Sequence, residues 1–434
     1  MNTKRTGTLL FVIVMLLTIG GCSDKVKDTV TYTANIPIYQ KRDEFVKSVK
    51  TGAMKNLVKP GKIFLKGNYI FVNELYQGIH VIDNSTPSSP KNIAFITIPG
   101  NVDIAVRGNT LYADSYADLV AIDITDPTKA TETARYDNAF PNVMPPTGNN
   151  FPVAAIDTSK GVVVGWKQER VTEDVNKPYY YIGLMYSTSS LYALDNGSWA
   201  QASTAGTGST SQAAIAGSLA RFVVYGDKLY ALTNSQMKVF SISGVPALIN
   251  SIWTSWQAET LFISGNLMFA GTRNGLIIYS LADPYTPKQI STFSHVYSCD
   301  PVVVEGNRAY YTMRSGNNCG QSISGMGVVD ITDPTKPVEL SFFALSSPNG
   351  LGIDNNRLFI CDGDKGLKVF DATDPLKLLD NQIATFNTVQ AVDVIPYNNI
   401  LILIGQTGLK QYDYTDIHNI KLLSTIPITA FFAD

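Results

Sequence analysis

The sequence predicts an all-β chain: a propeller of four-stranded antiparallel blades, with eight blades as the main expectation and seven as the runner-up. Three observations carry this expectation. An apolar block ending in Asp or Ser recurs about every 40 residues, a tight-turn hairpin precedes most copies of it, and the heptapeptide DITDPTK stands twice, at 123–129 and at 330–336.

In chain order, the first element is a secretion signal rather than part of a fold. Lys4 and Arg5 form a basic start, Leu9 to Ile19 an apolar run, and Ile19 to Cys22 a small-residue cleavage region. The run is shorter than the roughly 18 apolar residues that a membrane-spanning helix requires. The stretch IGGC resembles the lipobox of bacterial lipoproteins, which implies cleavage before Cys22 and acylation of its thiol and new amine. Two or more acyl chains suffice for stable anchoring, each buried methylene contributing about 0.8 kcal/mol. The expected division is a signal peptide over 1–21, a tether and lead-in over 22–60, and one propeller domain over 61–434. Ser23 resembles the residue found at that position in lipoproteins sent on to the outer membrane, so the expected location is the bacterial cell envelope, as an outer-membrane lipoprotein.

Loss of Lys4 and Arg5 with the signal takes the formal net charge from −2 to −4. No basic stripe stands out, so nucleic acid is not an expected partner.

The repeats begin near residue 61. The blocks GIHVID (78–83), DLVAID (118–123), SLYALD (190–195), QMKVFS (236–241), GLIIYS (275–280), GMGVVD (325–330), GLKVFD (366–371) and GLKQYD (408–413) align, with one insertion in the third unit. Upstream stand FLKGNYIFV, AVRGNTLYA, VVYGDKLYA, FISGNLMFA, VVEGNRAYY, GIDNNRLFI and VIPYNNILI. Apolar runs around Gly-Asn, Gly-Asp or Asn-Asn read as hairpins, because such turns need positive φ. The third unit shows this only faintly, in AAIDTSKGVVVGW. Downstream, DITDP, LADP or DATDP is turn chemistry leading into a last strand. Each unit is therefore four strands, A to D, and the duplicated heptapeptide is the C to D turn of two of them. A period near 40 with four strands per unit matches a propeller; the count falls to seven if residues 150–215 are an excursion. The segment 39–50 is the best helix candidate.

GIHVID, DLVAID and GLKVFD, with their TDP continuations and hairpins such as VRGNTLYA, resemble the LVIVD-repeat proteins, and YTANIPIY (32–39), residues 82–116 and HVYSCDPVVV (295–304) are similar to that family's envelope lipoproteins. The resemblance implies a secreted propeller and carries no catalytic motif with it. QMKVFS and GLKQYD depart most from the family pattern.

Strand order places the short A to B and C to D turns on one face and the variable B to C and D to A loops on the other. Binding residues concentrate on variable loops held by a rigid scaffold, so the second face is the candidate site. Its B to C loops contribute Asn73, Glu74, Asp114, Tyr116, Arg273, Arg314, Asp362 and Asp364. Its D to A connections contribute Trp253, Trp256, His295, Tyr297 and Asn349, and residues 165–186 add Trp166 on what reads as an elongated loop. Aromatics beside carboxylates and arginines suit a sugar or a peptide; the bland reading is that many of them pack between blades. Cys299 and Cys319 fall on the same face and could form a disulfide if their α-carbons approach within about 7 Å; Cys361 reads as a buried small residue.

No cofactor or metal is expected. The three histidines, His80, His295 and His418, stand in distant units, and neither HExxH nor GxSxG occurs. DGDKG (362–366) lacks the spaced carboxylates of a calcium loop and reads as a turn, while GTGSTS lacks a phosphate-binding lysine. The leading function is a non-enzymatic, lipid-anchored recognition surface for an envelope protein or for an extracellular glycan or peptide. The alternatives are a carboxylate-dependent hydrolase or lyase acting on polysaccharide in a central pocket, and a purely structural envelope component.

Overall fold

The computed structural model of the protein describes residues 29–174 apart from 142, residues 214–294 apart from 217, 219, 234, 255–257 and 273, residues 301–314, and residues 323–429 apart from 388. Within these residues seven antiparallel units of four strands span 60–97, 104–136, 222–253, 258–294, 302–344, 351–386 and 391–426. We number them blades 1 to 7 and letter their strands A to D in chain order. The A strands of neighbouring blades lie against one another, so A is innermost and D outermost.

The count is seven, which corrects the main expectation of eight and agrees with the runner-up. Val162–Asp174, from the degenerate third unit, is a single long strand paired with Thr29–Gln40, in a register running from Thr29 opposite Asp174 to Gln40 opposite Val162. The cause is local. Asp157 accepts from the Ser159 amide to start a short 3-10 turn over Thr158–Lys160, and Gly161 at φ 122° leads straight into the strand, so no hairpin forms. A Cβ at Gly161 would stand 2.1 Å from the Gln40 carbonyl oxygen, so a bare backbone is needed where the two strands meet. The block SLYALD at 190–195 lies outside the described residues.

The short-turn face follows from turn chemistry. In the Gly-Asn and Gly-Asp hairpins the glycine alone has positive φ, as at Gly67, Gly108 and Gly226, whereas Asn355–Asn356 and Asn398–Asn399 are positive at both positions. These are the two turn geometries whose twist matches that of the flanking strands. In the heptapeptide, Asp123 Oδ1 accepts from the amide and hydroxyl of Thr125, and Asp126 Oδ1 accepts from the amide and hydroxyl of Thr128. Asp330 with Thr332 and Asp333 with Thr335 repeat the pattern atom for atom. The duplication is thus a double turn in which each aspartate organises the backbone two residues on.

Every D strand carries one extra residue at the same place: Ile93, Thr133, Ile249, Ile290, Leu340, Ile383 and Leu423. Such a bulge increases twist and makes an outer edge a poorer template for strand addition. The next residue acts between blades. Ser291, Ser341 and Ser424 donate their hydroxyls to the carbonyls of Pro334, Pro375 and Pro87 in the following blade's C to D turn, and Asn250 donates to Tyr285 O. Blades 1, 2 and 6 have Ala94, Ala134 and Ala384 at this position.

Ser424 to Pro87, with Gln411 Nε2 donating to Asn84 Oδ1, helps to close the ring, because all four strands of blade 7 come from one stretch of chain and no strand is exchanged. Ile63, Leu65, Ile70 and Val72 of blade 1 pack with Ile395, Ile402, Ile404 and Leu409 of blade 7 across the same seam. The lead-in reinforces it: Leu57 bridges Ile428, and the Thr429 amide donates to Leu57 O. Lys50–Gly52 adds to the outer edge of blade 1, and Arg42–Val46, one turn of helix within the expected segment 39–50, lies against blade 2. No helix among the described residues is long and apolar enough to cross a membrane.

Candidate functional site

The loop face is built from the ends of the B strands and the loops that lead into the A strands. At three of these ends stands a carboxylate from the candidate set, and each performs the same local task. Glu74, 2% exposed, accepts from the amides of Val58 and Lys59 and pairs with His80 Nε2 at 2.9 Å. Asp114 accepts from the amides of Val102 and Asp103 and from Asn101 Nδ2, all within 2.9 Å. Asp362, fully buried, accepts from the Ser347 amide at 2.7 Å and pairs with Lys368. In each case the acid satisfies backbone donors of the loop entering its own blade's strand A, which would otherwise be buried without partners. Burial raises the Asp114 carboxyl to about 6 against the downward pull of its hydrogen bonds. Asp364, by contrast, is exposed, on the 3-10 turn Gly363–Lys365.

Over blades 1 and 2 the chain covers its own loop face. Tyr116, in the left-handed conformation at φ 48°, packs its ring over Gly100, stacks on Phe45 and donates its hydroxyl to Val164 O. Burial raises its phenol to about 12. Trp166 is half-buried and donates Nε1–H to Pro145 O at 2.7 Å, on the paired strand rather than on a loop. Arg42 and Arg135 converge on Asp118 at 2.6 and 2.7 Å, and Asp118 also accepts from the Asn138 amide. Tyr116 and Trp166 therefore hold a cap formed by the lead-in and residues 137–166.

The axis holds a polar cluster that the sequence reading did not single out. Lys62, buried, pairs with Asp103, and Asp103 also accepts from the Arg221 amide at 2.9 Å. Burial lowers the Lys62 pKa while Asp103 pulls it upward. Ala214–Ala216 adds antiparallel to the innermost strand of blade 1. From there the chain runs across the axis: the Ser218 hydroxyl meets Asp393 of blade 7 and the Leu351 amide of blade 6, and the Leu261 amide of blade 4 donates to Ala220 O. The centre of the ring is thus occupied by the protein's own backbone. A signal was present in the sequence, since aspartates interrupt the apolar A strands in VDIAV (102–106) and VDVI (392–395) and Lys62 does so in PGKIF.

Arg314 Nη1 donates to Asn349 Oδ1 at 2.5 Å, joining blade 5 to the loop before blade 6, and burial lowers its pKa. Trp253 is 61% exposed at the end of blade 3. Cys361 is buried as expected, and burial raises its thiol pKa. Cys22, Trp256, Arg273, His295, Tyr297, Cys299 and Cys319 lie outside the described residues. Among the described residues no group of three or more His, Cys, Asp or Glu is placed to hold a metal ion.

Seven like blades, one repetitive face and one variable face define a repeat β-propeller. Residues 60–94 and 100–138, in blades 1 and 2, match the LVIVD repeat. The chain thus carries LVIVD repeats within a β-propeller. No curated protein matches the chain. Among solved structures it is similar to the computationally designed Ika8 protein, at 11% identity and a TM-score of 0.49, over 87% of this chain and 93% of that one. It is also similar to BamB from Moraxella catarrhalis, at 10% identity and a TM-score of 0.47, over 88% of this chain and 91% of that one. Hsv2 of Kluyveromyces lactis gives 12% identity and a TM-score of 0.48, over 85% of this chain and 100% of that one. No ligand or partner transfers at this level of likeness.

Proposed function

We propose that the protein is a non-enzymatic recognition module of the bacterial envelope, anchored to the outer membrane through an acylated Cys22 and presenting its loop face to a protein partner or to an extracellular glycan or peptide. The observation that carries this reading is the filled axis. A hydrolase or lyase of the kind expected as the alternative needs convergent carboxylates around a deep central pocket. Here the centre is crossed by residues 214–221, and Glu74, Asp114 and Asp362 are each taken up by backbone amides. What is left for recognition is the sector over blades 3 to 6, where no described segment forms a cap and where Trp253, Arg314, Asn349 and Asp364 stand.

Two experiments test the two halves of the proposal. Cys22→Ala is expected to move the protein from the membrane to the soluble fraction and to abolish the acylated N-terminal peptide in mass spectrometry; unchanged membrane association rejects the anchor. Glycan and peptide arrays, and crosslinking in intact envelopes, are expected to give a ligand or stoichiometric partner that Trp253→Ala combined with Asp364→Lys loses. Turnover of a polysaccharide by the wild type would overturn the non-enzymatic reading.

A further inference from the structure

Ser218 and Asp393 are 1% and 0% exposed at the centre of the ring, where the chain from blade 1 passes to blade 3. The Ser218 hydroxyl accepts from the Leu351 amide at 3.2 Å and donates to Asp393 Oδ1 at 3.4 Å. Asp393 Oδ2 is buried and finds no hydrogen-bond partner among the described residues. Gly350 makes room for this carboxyl: a Cβ there would stand 2.0 Å from Asp393 Oδ1. Of this segment, Ala214–Ala216 pair with strand A of blade 1, Arg221 exchanges hydrogen bonds with Leu232 of blade 3, and Ser218, Ala220 and Arg221 reach blades 2, 4, 6 and 7, the contact to blade 7 running through the acid.

We propose that residues 214–221 form an axial plug governed by pH, seated while the Asp393 carboxyl carries a proton and loosened when it ionises. An ionised carboxylate shut off from water with one oxygen unpartnered is strongly disfavoured, whereas opening the plug returns the group to water. Burial accordingly pushes the Asp393 carboxyl well above its usual value; the amide of Val394, the Ser218 hydroxyl and the charge of Lys62 pull the other way. The titratable groups around it come from every packed element. Blade 1 supplies Lys62, blade 6 supplies Cys361 with Asp362 behind it, blade 2 supplies Asp103 and Asp114 beyond Lys62, and the plug supplies Arg221. Lys62 is itself paired with Asp103, and among the described residues the second oxygen of Asp393 accepts no hydrogen bond.

The sign follows from linkage. The seated state holds a proton that the open state releases above about pH 4, so protection of the plug falls about tenfold per pH unit from there up to the raised native pKa and then levels off. The test is hydrogen exchange, read by mass spectrometry on the whole mature chain between pH 5 and pH 8 and corrected for intrinsic rates, on peptides covering 214–222. Asp393→Asn keeps the acceptor for Ser218 and cannot ionise; its dependence of protection on pH is expected to be shallower than wild type by about one tenfold step per unit. Ser218→Ala is expected to lower protection about tenfold at pH 5 while keeping the wild-type slope. The peptide 267–280 of blade 4 is expected to stay better protected than 214–222 at every pH, because it opens only with more of the fold. Equal slopes in wild type and Asp393→Asn, wild-type protection in Ser218→Ala, or protection of 214–222 as high as that of 267–280 would each overturn the plug; the Ser218 variant decides the matter if Asp393→Asn does not fold.

Discussion

Asp118 shows what individual charged residues do on the loop face. Its carboxylate joins the lead-in, through Arg42, to blade 2, through Arg135, and both it and Arg135 are largely shielded from water. Removing one member of such a group strands its partners, so Asp118→Ala is expected to cost about 3 kcal/mol in denaturant unfolding with an unchanged m-value. Asp114 makes a prediction of opposite sense. Its native pKa of about 6 lies above its ordinary 3.8, so the stability associated with its proton is full below about pH 4 and is lost as pH rises through 6. Two pKa units correspond to about 3 kcal/mol. Asp114→Asn keeps the oxygen that accepts from Val102 and Asp103 and is expected to lose that component, which urea unfolding at pH 4.5 and pH 7 would reveal. Glu74, Asp114 and Asp362 were visible in the sequence as carboxylates on the right loops. Their role was not, because whether an acid meets a ligand or a backbone amide depends on the path of the preceding D to A loop.

At the scale of the element, the turns were the most legible part of the chain. Gly-Asn, Asn-Asn and TDP specify their geometry through φ preferences and through side-chain oxygens two residues from the amides they bind, which requires nothing from the rest of the fold. Asp123→Ala and Asp330→Ala are therefore expected to cost the same, about 1 kcal/mol each, when compared by thermal or chemical unfolding. The interblade clasp was not legible. A serine in a D strand becomes recognisable only when the bulge before it and the next blade's proline are seen together. Ser341→Ala is expected to cost about 1 kcal/mol, and Ala384→Ser, which places a hydroxyl opposite the blade 7 turn, to stabilise by a similar amount; a chemical-denaturation midpoint unchanged in both would reject the clasp. The third unit misled for a related reason. Val162–Asp174 has the composition of a blade strand, and its partner is the distant Thr29–Gln40.

For the whole molecule, the weak place is the seam between blades 7 and 1, which side chains and the Leu57 bridge close without an exchanged strand. Deleting residues 23–59 removes that bridge, the added edge strand and the contact of Arg42 with Asp118 together. It is expected to lower the melting temperature and to raise hydrogen exchange first in blades 7 and 1, with blades 4 and 5 affected last. The sequence by itself determined the four-strand repeat, its turns, the blade architecture and the separation of a repetitive face from a variable one, because these depend on contacts within some 40 residues. Only the tertiary structure decided the number of blades, the cap over blades 1 and 2, and the passage of the chain through the axis. Those rest on pairings such as Thr29 with Asp174, Ala214 with Lys66 and Ser218 with Asp393, each linking positions far more than one repeat apart, where no local pattern in the chain records which partner a strand or a carboxylate will meet.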